Sequence, residues 1–231
     1  MYSSQMKTQQ NNLNGLFLLL IIPTSFAILA LSHFGFFFKS GTAGAGILIL
    51  LFLYFSELSK AKDILYLISA FLFSIIGDWF LSNKSGNANM FVYGIGFYFF
   101  AHLGYLIYAQ LNGRISRIFT LVLLGAFLLF FVLVLYPSID NRVLMFSVLI
   151  YLVVSCISLG FAVGLRSIGT EKWTYVFGII LILFSDTIIA FKEFVGYKEL
   201  NFMILPTYYL AHISITFSVI KRRIRERENH G

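Results

Sequence analysis

The sequence is poor in the residues that most enzyme chemistry uses. It has one cysteine, Cys156, in the middle of an apolar run. A single thiol forms no internal disulfide and no thiolate metal cluster, and a free cysteine in such a run is read as a small core residue. Charged residues make up only 12% of the chain. A soluble domain of this size would carry about twice that share. No His-Glu-x-x-His spacing and no Gly-x-Ser-x-Gly elbow occurs, so a metalloprotease and a serine hydrolase of the elbow type are set aside. "GIG" (94–96) lacks the third glycine and the strand context of a nucleotide loop. A retinal protein needs a lysine deep in the last helices, whereas Lys192 lies at a span end.

What the chain does have is hydrocarbon. Of its 231 residues, 59% are hydrophobic and 27 are phenylalanine. The apolar residues come in runs of about 20 residues, each long enough to cross a bilayer as a helix. Alternating segments of about 10 residues, the mark of a membrane barrel, do not appear. The sequence therefore predicts an all-α polytopic membrane protein. Eight transmembrane helices are expected near 15–38, 42–58, 64–82, 90–111, 116–136, 143–165, 174–192 and 202–220. A polar N-terminus (1–14) precedes this single membrane domain (15–220), and a basic tail (221–231) follows it. The segment after the N-terminus is too long for a signal-peptide core and lacks an Ala-x-Ala cleavage site. The breaks read as turns: "KSGTAG", "SKAKD", "NKSGNAN", "NGRISR", "YPSIDNR", "RSIGTEK" and "EFVGYKEL".

The cations divide unequally between the two sides of such a bundle. Lys7, Lys60, Lys62, Arg114, Arg117, Arg166, Lys172, Lys221, Arg222, Arg223, Arg225 and Arg227, twelve in all, share the side of the termini. Lys39, Lys84, Arg142, Lys192 and Lys198, five in all, share the other. The positive-inside rule then places both termini in the cytoplasm, the membrane being the plasma or inner membrane if the source is bacterial. A cytosolic flank explains the net charge of +7 better than a nucleic-acid site does.

Two segments repeat. "YFFAHLGY" (98–105) and "YYLAHISI" (208–215) both carry Tyr followed by Ala-His, and each follows a span with Ser and Asp: "FSIIGD" (73–78) and "FSD" (184–186). Asp78 and Asp186 are 108 residues apart; His102 and His212 are 110 apart. Two halves of four spans enter from the same side, so a 4+4 repeat is parallel, with its axis along the membrane normal. That symmetry predicts Asp186 opposite Asp78.

Acids inside a membrane are costly and face inward. Helical spacing stacks Tyr98, His102 and Tyr105 on one face, and likewise Tyr208 with His212 and Ser74 with Asp78. A polar chamber lined by spans 3, 4, 7 and 8 follows. Two carboxylates close together at low dielectric share one proton, which leaves an acid beside a carboxylate. Such a pair fits an acid-catalysed hydrolase. It also fits a proton-coupled or small-molecule transporter, with the Asp and His pairs as a relay. A structural role, holding helices together, stays open for the acids and for each histidine. An intramembrane aspartyl protease fits less well, since Ile75 stands where its Gly-x-Gly-Asp motif needs glycine. His33 and His230 receive no role. "GFAVG" (160–164) is a Gly-x-x-x-Gly helix contact.

At "GDWFL" (77–81), "GFYFFAHLGY" (96–105), "FSDTIIAFKEF" (184–194) and "PTYYLAH" (206–212), the chain resembles the YhhN family of membrane proteins, which includes the lysoplasmalogenases. The four motifs run in order through about residues 70 to 215. The resemblance implies an enzyme that hydrolyses the vinyl ether bond of lysoplasmalogens to a fatty aldehyde and a glycerophospho-ethanolamine or -choline. Its substrate is a lysophospholipid drawn from the membrane lipids. Asp78, His102, Ser185, Asp186, Tyr208 and Tyr209 match motif positions, with Tyr98, Tyr105, Ser74 and His212 beside them, and the paired acids Asp78 and Asp186 are read as the catalytic residues. His212 stands where the family usually has Gln, and "ELSKAKD" replaces an expected Lys-Pro. Vinyl ether hydrolysis needs an acid and a nearby anion, and calls for no metal or organic cofactor.

Overall fold

The computed structural model describes residues 15–32 and 34–230. The polar segment 1–14 and His33 lie outside the described residues. Every named element is a helix. A long apolar run in lipid has no water to satisfy its backbone, so it closes its hydrogen bonds within itself.

The helices are α1 (Leu16–Leu31, opening with a 3₁₀ turn over Leu16–Leu20), α2 (Phe36–Tyr54), α3 (Lys62–Ser82), α4 (Ala88–Asn112), α5 (Arg117–Phe130), α6 (Arg142–Val163), α7 (Thr170–Ala190) and α8 (Asn201–His230). Short non-α turns extend α2 to Glu57, α5 to Ser138 and α7 to Val195. Asparagines start two of the helices. The Asn87 side chain accepts from the Asn89 amide at 2.9 Å, and that of Asn141 accepts from Val143 and Leu144. Each satisfies amide groups that the first turn leaves without a partner.

Seven helices are long and apolar enough to cross a membrane. The first is shorter than the expected 15–38: it ends at Leu31 and spans roughly 26 Å, against about 30 Å of hydrocarbon. The first break also moves. "KSGTAG" lies inside α2, and the chain turns instead just before Phe36, where Gly35 takes φ +96°. Gly41 of that stretch, and Gly46 just beyond it, serve contact rather than turning. A Cβ on Gly41 would collide with the Phe26 ring, and one on Gly46 with the Phe71 ring. α8 continues to His230, so the basic residues 221–227 are helical.

The packing follows the sequence repeat. In the first half α1 packs on α2, α2 on α3 and α3 on α4; in the second α5 packs on α6, α6 on α7 and α7 on α8. The halves meet through α2 with α8 and, equivalently, α4 with α6. In both innermost pairs a glycine lets the backbones approach. A Cβ on Gly104 would lie 2.6 Å from the Tyr66 carbonyl, and one on Gly178 would lie 3.0 Å from the Ala211 carbonyl. Gly160 and Gly164 of "GFAVG" close against Thr120 and the Arg114 carbonyl, an internal contact. Cys156 is buried among Phe131, Leu135 and Leu152.

At the end of the bundle where α8 finishes, charged groups interlock. Arg222 pairs with Asp63 and, at 2.7 Å, with Glu226. Arg223 grips Glu57 with two hydrogen bonds of 2.9 and 2.6 Å. Lys39, Lys84 and Lys192 gather around a cavity at the opposite end.

Candidate functional site

Asp78 sits near the end of α3, one turn after the buried Ser74. Two phenols hold it. Tyr98 on α4 donates to Oδ1, and Tyr208 on α8 donates to Oδ2 at 3.0 Å. Asp186, near the end of α7, is held differently. The Tyr151 hydroxyl on α6 donates to its Oδ2 at 2.7 Å, and His102 Nε2 on α4 lies 3.0 Å from the same oxygen. These contacts satisfy carboxyls that hydrocarbon could not solvate.

Both acids line one cavity of about 270 Å³. Tyr98, Ser185, Tyr208 and Tyr209 share its wall, and Lys39, Lys84, Lys192 and Glu193 line it as well. A second, narrower cavity of about 60 Å³ adjoins the first at Leu81, Tyr98, Asp186 and Ile189. Phe91, Ile95, Val148 and Phe194 make it apolar. Among the described residues, no group of three or more His, Cys, Asp or Glu is placed to hold a metal ion.

The YhhN family model matches residues 34–219. The chain belongs to the YhhN family. No curated protein and no solved structure matches it. With seven helices fit to span a bilayer, this YhhN chain is an integral membrane protein.

The sequence-named residues separate into two shells. Asp78, Asp186, Tyr98, Ser185, Tyr208 and Tyr209 face the cavity. His102 stands behind Asp186. Tyr105, His212 and Ser74 do not line the cavity but brace it. His212 Nδ1 lies 2.9 Å from the Tyr208 carbonyl, which can only accept, so Nδ1 carries the hydrogen. Nε2 is then left to accept from the Tyr105 hydroxyl at 3.3 Å. Ser74 is buried on α3, one turn before Asp78. The Ser185 hydroxyl donates to the Ile204 carbonyl at 3.1 Å, tying α7 to α8.

Asp78 and Asp186 line the same cavity. Among the described contacts, the groups that hydrogen-bond Asp78 are the two phenols. The repeat fails to account for Tyr151. It lies in the apolar run of α6, and at the repeat's 108-residue offset its counterpart would be Ala43. A tyrosine at mid-span was the one available signal for it, since a buried phenol needs a partner.

Proposed function

We propose that this chain is an intramembrane hydrolase that cleaves the vinyl ether bond of lysoplasmalogens, releasing a fatty aldehyde and a glycerophospho-ethanolamine or -choline. One observation carries the reading: two carboxyls, each on its own pair of hydrogen-bond partners, line a single cavity, and a narrower apolar cavity shares part of its wall. YhhN membership supports it.

The hydrogen bonds divide the labour. Both oxygens of Asp78 accept phenols. Both contacts to Asp186 fall on Oδ2, so Oδ1 is the oxygen without a described partner. In the proposed reaction Asp186 Oδ1–H protonates the β-carbon of the vinyl ether. The π electrons form the new C–H bond, and an ether oxygen lone pair makes the oxocarbenium ion. Asp78 stabilises that cation electrostatically. Water then adds to the α-carbon and returns a proton to Asp186. The hemiacetal collapses to aldehyde and the glycerol hydroxyl, so one water is consumed and no proton is gained or lost. The substrate reaches the site from the surrounding membrane lipids, and no nucleic acid takes part. By the distribution of cations both termini lie in the cytoplasm, which puts the lysine-lined cavity at the opposite face.

The test is aldehyde release from a lysoplasmalogen by the purified protein. Asp186→Asn and Asp78→Asn are each expected to lower the rate by about a hundredfold or more, the usual share of a positioned acid. Wild-type protein that releases no aldehyde would remove the reading.

A further inference from the structure

The mouth of the cavity carries more positive charge than catalysis requires. Lys39 comes from the first turn of α2, Lys84 from the α3–α4 turn and Lys192 from the turn after α7. One acid, Glu193, stands among them. It lies 2.5 Å from Lys84 and 3.7 Å from Lys192, so a single carboxylate is shared by two ammonium groups. Lys39 makes no ion pair with a described residue. Asp78 and Asp186 face the same void, but among the described contacts they pair with phenols and a histidine and with none of the three lysines.

Two further polar atoms in this wall are buried with no partner among the described residues: the Tyr209 hydroxyl and Asn201 Oδ1. Tyr209 is 1% exposed. A buried polar atom left without a hydrogen bond costs about 1–3 kcal/mol, so a protein that keeps two beside a cavity points to a ligand that satisfies them. A ligand hydroxyl does both, donating to Asn201 Oδ1 and accepting from Tyr209.

Resting on the hydrolase reading, we propose that Lys39, Lys84 and Lys192 form an anion subsite for the phosphate of a lysophospholipid. Asn201 and Tyr209 take the free hydroxyl of its glycerol, and the apolar cavity takes its chain. An amphiphile laid across the two cavities places its polar–apolar junction at their common wall, beside Asp186 and Tyr98. That junction is where a vinyl ether joins chain to glycerol. The phosphate itself is ordinary chemistry for lysines acting as point charges.

The experiment measures binding without turnover, by native mass spectrometry of the detergent-solubilised full chain. The probes are an acyl lysophosphatidylethanolamine, a monoacylglycerol of the same chain length, and inorganic phosphate. Wild-type protein is expected to bind the lysophospholipid at least tenfold more tightly than the monoacylglycerol, and phosphate alone far more weakly than either lipid. In Lys39→Gln/Lys84→Gln/Lys192→Gln the lysophospholipid-to-monoacylglycerol ratio is expected to fall about tenfold. The triple Arg variant is expected to keep the ratio, because charge and not shape sets it. Should the triple Gln variant not fold, Lys39→Gln alone, which breaks no ion pair with a described residue, is expected to lower the ratio. A ratio unchanged on charge removal, or phosphate binding as tight as lysolipid binding, overturns the proposal. Failure of the hydrolase reading would show separately, as absent aldehyde release with the binding preference intact.

Discussion

The Tyr151 hydroxyl donates to Asp186 Oδ2 at 2.7 Å, from a helix that none of the four YhhN-like motifs reaches. His102 Nε2 shares that oxygen at 3.0 Å, so the second acid is fixed from α6 and α4 at once. Asp78 is fixed from α4 and α8. Tyr98 and His102, one turn apart on α4, therefore each hold a different acid, and α4 sets the placement of both carboxyls.

Tyr151→Phe tests this placement. The ring and its packing stay, and only the hydroxyl leaves. Asp186 would keep His102 but lose one of two donors. Aldehyde release is expected to fall about 10- to 100-fold, with the melting temperature in detergent lowered by only a few degrees. Unchanged turnover in this variant would show that the contact does not position the acid.

His212 separates a brace from a proton carrier. Its nitrogens are committed to the Tyr208 carbonyl and the Tyr105 hydroxyl, and its ring packs on Phe71 and Tyr208. His212→Gln, which keeps one donor and one acceptor, is expected to hold turnover within about threefold and to leave the pH profile in place. His212→Ala opens a gap and strands the Tyr105 hydroxyl, so a stability loss of about 2–4 kcal/mol is expected by thermal or denaturant unfolding. A shifted pH profile for His212→Gln would mean that the ring titrates during the reaction.

Arg222 tests the far end of the bundle. Its guanidinium meets Asp63, Glu226 and the Asn112 side-chain oxygen, and only 15% of its side chain is exposed. Removing one partner of a buried pair leaves the other charge stranded, so Arg222→Ala is expected to cost about 3–5 kcal/mol of stability. The double variant Arg222→Met/Asp63→Asn removes both charges and is expected to recover most of that loss, read as a melting temperature. A single variant as stable as wild type would mean that water or lipid headgroups replace the pair.

Much of the architecture was legible from the chain because hydropathy and helical period are local properties. An apolar run of sufficient length must become a helix in lipid, and its short turns make neighbours antiparallel. Asp78 and Asp186 could be singled out because an acid within such a run stands out on cost alone. Their cavity-lining companions Tyr98, Tyr208 and Tyr209 followed from spacing and from the family motifs. The first break was misplaced for a definite reason: glycine marks a turn and a close helix contact equally well, and Gly41 and Gly46 serve the second purpose.

The sequence by itself determined the helical class, the order of the spans and the acids that had to face inward. Only the tertiary structure decided what each acid meets. Which side chains oppose across a bundle depends on how far each helix is rotated about its axis, and that is set by contacts far apart in the chain, such as Gly104 on the Tyr66 backbone and Gly178 on that of Ala211. A rotation of one residue, about 100°, would turn Tyr151 away from Asp186 without altering any local signal in the sequence.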